Sequence, residues 1–289
     1  MNLLSGLEKF GLSTDGAINI FDDEKKEEQG EGTQQQGAQT EPTEADFLLD
    51  KTVRCQMCEK TFRLKQVKSG RVKRLESDKD LRPRCQYIDT IKYSVISCPY
   101  CGYTGLSRSI GELTSVQRKL IQENICAKFT GEDVKTEEMD FYPYDYAIER
   151  YKLALFNSIA KKGKMSEKAY ICLNISWLIR GKIEELESKD TLPQIIENCK
   201  KEEAAYYAQA YEGFMKAVST ENFPMCGMEQ STVDYLLAVM SYHYGKLEVA
   251  SKFIQSILMS QAANRRMKDK ALVLKDEIIA EIKAGKTGK

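Results

Sequence analysis

The sequence predicts an α+β fold, mainly α, in which a small cysteine-bearing β module precedes a long array of helical hairpins. Three observations predict it. Two Cys-x2-Cys pairs, Cys55-Gln-Met-Cys58 and Cys98-Pro-Tyr-Cys101, stand in a stretch rich in strand-forming residues. From about Glu112 onward the chain carries long runs at 3.6-residue periodicity with few internal prolines or glycines. A small-large-small pattern recurs on three of those runs, at Ala147–Tyr151–Ala154, Ala210–Phe214–Ala217 and Ala250–Ile254–Ile257. Small residues let helices approach closely and a bulky one fills the gap, as in the second helix of a tetratricopeptide (TPR) repeat. The alternative reading is an ordinary helical bundle.

Four segments follow in order. Residues 1–21 form a short amphipathic segment, with Leu3, Leu4, Leu7 and Phe10 at three- and four-residue intervals. Residues 22–46 are polar and acidic and hold too little apolar surface to offset ordering entropy, so a disordered linker is expected. Residues 47–109 form a zinc-ribbon-like module, with strand-like pieces at Thr61–Val67, Arg71–Leu75 and Tyr93–Ser97. Residues 110–289 form the TPR-like helical domain. Its expected helices are Leu113–Phe129, Tyr144–Lys161, Ser166–Glu187, Leu192–Ala217, Thr232–Tyr244, Leu247–Ala262 and Asn264–Ala284. Ser166 reads as a cap, Gly245-Lys246 as a turn, and Ser188–Cys199 as a long insertion between repeats. Leu237 and Ala238 stand where a repeat's first helix packs.

Charge and composition narrow the classes. The net charge is zero, but residues 1–50 hold 3 Lys/Arg against 12 Asp/Glu, while residues 51–109 hold 14 against 5. An acidic lead therefore precedes a basic module, and the remaining helical body balances. No run of eighteen apolar residues argues for a membrane span, and MNLLSGLEKFGL lacks the basic start of a secretory signal. Nine cysteines without a signal fit a reducing, cytoplasmic setting, where paired spacing suggests metal rather than disulfides.

A Cys-x2-Cys turn presents two thiolates on one side of a tight loop, and a second turn completes a tetrahedron. Cys55, Cys58, Cys98 and Cys101 are therefore the expected ligands of one structural zinc ion per chain. Iron in an all-sulfur tetrahedron and a dithiol redox centre are the alternatives. With four thiolates no position stays open for water or substrate, so the site is expected to be structural. Cys85 reads as a packed or free thiol. Cys126, Cys172, Cys199 and Cys226 read as small apolar residues, and His243 as a core or turn residue.

The stretch Val53–Leu106 resembles the bacterial family labelled domain of unknown function 2225. The residues that carry this are Cys55, Cys58, Phe62, Arg71-Val72-Lys73, Asp78, Asp80, Pro83, Ile88-Asp89, Tyr93 and Cys98-Pro99-Tyr100-Cys101-Gly102-Tyr103. GKMSEKAYICLNISWLIR at 163–180 is similar to the family as well, and the likeness runs from about residue 47 to the C-terminus. Cys85 departs from it, standing where such families often have an aromatic residue near the Pro83 turn. The resemblance implies a zinc-ribbon-like module joined to TPR-like helices and brings no established activity.

Asp78 and Asp80, in Ser-Asp-Lys-Asp beside Lys79 and Arg82, read as turn and charge-pair residues rather than an acid/base pair. No catalytic constellation is present, so a non-enzyme is expected. The leading expectation is an adaptor that binds a protein or peptide through stacked helical hairpins. The alternative is nucleic-acid binding by the basic ribbon, through Lys65, Lys68, Arg71, Lys73, Arg74, Arg82 and Arg84 with Tyr87, Tyr93, Tyr100 and Tyr103 as stacking platforms. A rubredoxin-like iron or redox protein comes third.

Overall fold

The computed structural model describes residues 41–111, 113–130, 139–189 and 191–287. The amphipathic segment at 1–21 and the linker as far as residue 40 lie outside the described residues. Pro42–Lys289 forms one compact unit. Within the span assigned to the linker's end, Glu44–Phe47 forms a turn of 3-10 helix. It is tied down because the Glu44 carboxylate accepts from Lys92 Nζ and Tyr93 Oη, each at 2.7 Å.

The β part is two antiparallel hairpins. In the first, β1 (Leu48–Arg54) pairs with β2 (Thr61–Val67), with Arg54 opposite Thr61. In the second, β3 (Val95–Ser97) pairs with β4 (Thr104–Leu106). Each cysteine pair occupies the turn of one hairpin. The strand expected at Arg71–Leu75 is absent. The 68–94 excursion instead holds a single bridge between Arg74 and Cys85 and a 3-10 turn over Thr90–Tyr93. Its backbone is organised by side chains, because Asp89 caps that turn by accepting from Ile91 N–H at 3.0 Å.

The helical array contains seven α-helices among the described residues. α1 (Ser115–Ile121) starts from a Thr114–Gln117 capping box, and runs directly into a π-helical turn, Gln122–Cys126, where one continuous helix was expected. The others are α2 (Tyr144–Ala160), α3 (Met165–Ser188), α4 (Pro193–Thr220), α5 (Gln230–His243), α6 (Leu247–Met259) and α7 (Arg265–Thr287). Short connections join α2 to α3, α5 to α6 and α6 to α7, with Gly245 in the α5–α6 turn, as suits antiparallel neighbours. The expected insertion at Ser188–Cys199 is only a short loop, since α4 begins at Pro193, a residue favoured in a helix's first turn. Ser166 is not a cap. It lies inside the first turn of α3, where its N–H and hydroxyl both donate to Glu221.

The core explains the order of packing. α3 is buried on nearly all faces from Ile171 to Ile179, as expected of a helix enclosed by α2, α4 and the β part. Gly213 lets α4 close on it, for a Cβ there would lie 2.8 Å from Ala169 Cβ. α5 carries apolar residues into two clusters: Leu236, Leu237 and Met240 face the α2–α4 side, while Tyr235, Ala238 and Val239 face α6 and α7. All nine residues of the small-large-small pattern are buried, none above 3% exposure. They mark seams on α2, α4 and α6. The β part shares this core, because Ile91, Val95 and Leu106 belong to the same cluster as Ala147, Tyr151 and Leu173.

Candidate metal centre

Both cysteine turns are built alike. In the first, Cys55 N–H donates to Lys60 O at 2.9 Å and Glu59 N–H donates to Cys55 O at 3.0 Å. In the second, Cys98 N–H donates to Tyr103 O at 3.0 Å and Gly102 N–H donates to Cys98 O at 3.0 Å. The residue after each second cysteine has left-handed backbone, with φ +62° at Glu59 and +71° at Gly102. Glycine is required only in the second turn, because a Cβ on Gly102 would lie 2.6 Å from Phe129 Cδ2.

The two turns face each other and bring the four sulfurs together. All lie within 4.8 Å of one another, with Cys55 Sγ–Cys101 Sγ and Cys58 Sγ–Cys98 Sγ both at 3.6 Å. A regular tetrahedron with metal–sulfur bonds of about 2.3 Å has sulfur edges of roughly 3.8 Å, so the donor set fits one ion. Cys55, Cys98 and Cys101 are buried and Cys58 is half-buried. Four thiols this close cannot all ionise alone. Hydrogen bonds from Cys101 and Cys98 pull Cys55 down to about 2, and the Cys101 thiol is pushed up by its bonds to Cys55 and Cys98 and by burial. A divalent cation held by Cys55, Cys58, Cys98 and Cys101 would take the place of those protons and offset half of the four thiolate charges.

The helical part supports the turns. Ile121 and Ile125, from α1 and the π-helical turn, pack in one cluster with Phe62, Leu64, Tyr103 and the cysteines. Arg118 reaches the first turn and donates to Gln56 O. Asn157 of α2 donates to Gly102 O at 3.0 Å, and Thr104 Oγ1 donates to the same oxygen at 3.1 Å.

The family model "Uncharacterized protein conserved in bacteria (DUF2225)" matches residues 48–278, a span that takes in both cysteine turns and all but the end of α7. The chain belongs to this family. No curated protein and no solved structure matches it. Like the resemblance read from its motifs, the match covers both the cysteine module and the helices of this DUF2225 protein.

Other residues singled out from the sequence fall elsewhere. Cys85 is half-buried and stands apart from the four cysteines. Cys126 is the thiol that the sequence reading passed over. It closes the π-helical turn in the metal-centre cluster, where burial pushes its thiol up and a hydrogen bond to Cys101 opposes this. Nothing in its spacing marks it. His243 ends α5 exposed, edge-on to Tyr207 and Tyr244, so it takes a turn position rather than a core one.

Asp78 and Asp80 do sit in a turn, with Asp78 N–H donating to Arg82 O at 3.1 Å. Their partners come mostly from the helices. Asp80, 4% exposed, accepts from Trp177 Nε1 and Arg180 Nη1, both at 2.9 Å. Glu184 of α3 takes Arg82 Nη1 at 2.8 Å and Arg84 Nη1 at 2.6 Å, while Arg84 Nε donates to Asp78 at 2.8 Å. Hydrogen bonds from Arg84 and Arg82 hold the Glu184 carboxyl below its usual range against the opposing effect of burial. Three of the seven cations counted as a basic face are thus committed to pairs within the chain, since Lys65 Nζ also meets Asp50 at 3.0 Å. Tyr93 and Tyr103 are buried and donate to Glu44 and to Ile110 O, which removes two of the four expected stacking platforms.

Proposed function

We propose that this protein is a zinc-stabilised adaptor that binds a protein or peptide partner in the cytoplasm through a TPR-like helical array, without catalysis of its own. The observation that carries this reading is the alternation of the small-large-small seams on α2, α4 and α6, with α3 and α5 as the enclosed helices between them. Such alternation supports a reading as stacked helix pairs whose second helices share one packing code. Zinc is the favoured ion because an all-thiolate tetrahedron is its usual structural site, and four sulfurs leave no vertex for substrate. All nine cysteines are free thiols, which suits a reducing compartment. Phe156 and Ile159, three residues apart on α2 and about half exposed at 54% and 53%, are the proposed contacts. The nucleic-acid reading is weakened by the commitment of Arg82 and Arg84 and by the burial of Tyr93 and Tyr103.

The test is co-purification with full-length bait after nuclease treatment, followed by direct binding of the recovered partner at rising salt. A protein complex that survives about 0.5 M salt and is lost in Phe156→Asp/Ile159→Asp supports the adaptor. Recovery of nucleic acid alone, with affinity falling steeply as salt rises, would replace it by the second reading.

A further inference from the structure

An open cleft of about 1000 Å³ lies between the 68–94 excursion and the start of α7. Its lining includes four cations, Lys68, Arg74, Arg84 and Arg266, and no carboxylate. In a chain with equal numbers of acidic and basic residues, such one-sided lining calls for an explanation. Arg84 is paired with Asp78 and Glu184, and Lys68 donates to Asp46 O at 2.9 Å. Arg74 and Arg266 are exposed, and neither makes an ion pair or side-chain hydrogen bond among the described residues.

The backbone adds to the same sign. Asn264 and Met267 line the cleft at the N-terminus of α7, and Asn264 Oδ1 accepts from Met267 N–H at 2.9 Å. The start of this 23-residue helix, the positive end of its dipole, thus borders the cleft. Apolar side chains, Val67 and Leu81 among them, give the cleft a body as well as a charged rim. Its size is that of a small-molecule site and far exceeds one inorganic ion. Guanidinium forks match phosphate oxygens in geometry and charge.

We propose that this cleft binds a phosphate-bearing small molecule of nucleotide size, with its phosphate held between Arg74, Arg266 and the start of α7. This site is separate from the four cysteines and from the partner-binding face, so it stands or falls on its own. The test is calorimetric titration of the full chain with AMP and ADP, with adenosine as the uncharged control. The expected result is saturable 1:1 binding of at least one phosphate-bearing probe and none of adenosine. Arg74→Gln and Arg266→Gln should each weaken it about tenfold or more. Lys51→Gln, an exposed charge on β1 outside the cleft, should leave it unchanged, and far-UV circular dichroism checks that each variant is folded. The proposal is overturned if neither nucleotide binds at about 1 mM, a weak limit for specific recognition. It is also overturned if both arginine variants bind as the parent does. Binding confined to single-stranded oligonucleotides would assign the cleft to a nucleic-acid track instead.

Discussion

Asp80→Ala tests how the cysteine-bearing part is locked to the helices. Both hydrogen bonds to this carboxylate, from Trp177 Nε1 and Arg180 Nη1, reach the same oxygen, Oδ2. Trp177 is 4% exposed, so deleting the acceptor strands a buried indole N–H at a cost of about 1–3 kcal/mol. Arg180 keeps Glu203 at 2.9 Å, and its side chain is 30% exposed. Its loss is therefore well under the 3–5 kcal/mol of breaking a fully buried ion pair, and about 1 kcal/mol is reasonable. Together Asp80→Ala should destabilise by about 3 kcal/mol. Asp80→Asn keeps an oxygen where Oδ2 sits but loses the charge and puts an amide NH2 at the buried, unpartnered Oδ1 position, so a loss of about 1–2 kcal/mol, smaller than that of the alanine variant, is expected. The assay is urea unfolding followed by far-UV circular dichroism and by emission of Trp177, the single tryptophan of the chain. If Asp80→Ala stays within about 0.5 kcal/mol of the parent, the range of an unremarkable surface change, the lock does not exist.

Three further outcomes follow from the same geometry. Purified protein should carry one zinc per chain by elemental analysis, and Cys98→Ser should abolish stoichiometric metal. Because Val95 and Leu106 share the core of α2 and α3, the loss should lower one cooperative transition rather than melt the hairpins alone; two separate transitions would contradict the shared core. Gly102→Ala should destabilise by more than about 1 kcal/mol, since φ is +71° and the Cβ meets the Phe129 ring. Adding Phe129→Ala should recover part of the loss, and no recovery would point to the backbone alone. Asp234, 6% exposed and hydrogen-bonded by Ser256, has its carboxyl raised above the usual range by burial. A folded pKa above the unfolded one means that folding favours the protonated form. The penalty is thus absent below the unfolded value, grows as pH rises from there through the folded one, and is complete once pH has passed the folded value. Asp234→Asn should therefore gain stability relative to the parent as pH rises over that window, in denaturation curves across pH; a difference that does not change with pH would refute it.

Periodicity and spacing alone determined the helices from Tyr144 onward, which begin and end within a few residues of where the apolar pattern places them. They singled out the four cysteines that the fold brings within 4.8 Å of one another, because a Cys-x2-Cys turn is local and a tetrahedral donor set needs a second such turn. The seam pattern was legible for the same reason: side-chain size at three- and four-residue intervals is a property of one helix. Other features needed the folded chain. The excursion from 68 to 94 has no repeating pattern, and its shape is set by Asp80, Arg82 and Arg84 meeting residues about a hundred positions away in α3. Cys126 gained its place beside the cysteine cluster only when a π-helical turn packed against the hairpins. Net charge by segment could not tell which cations are neutralised, because ion pairing depends on distances of a few ångströms between distant segments. The tertiary structure consumed Arg82 and Arg84 internally and left Arg74 and Arg266 facing one cleft.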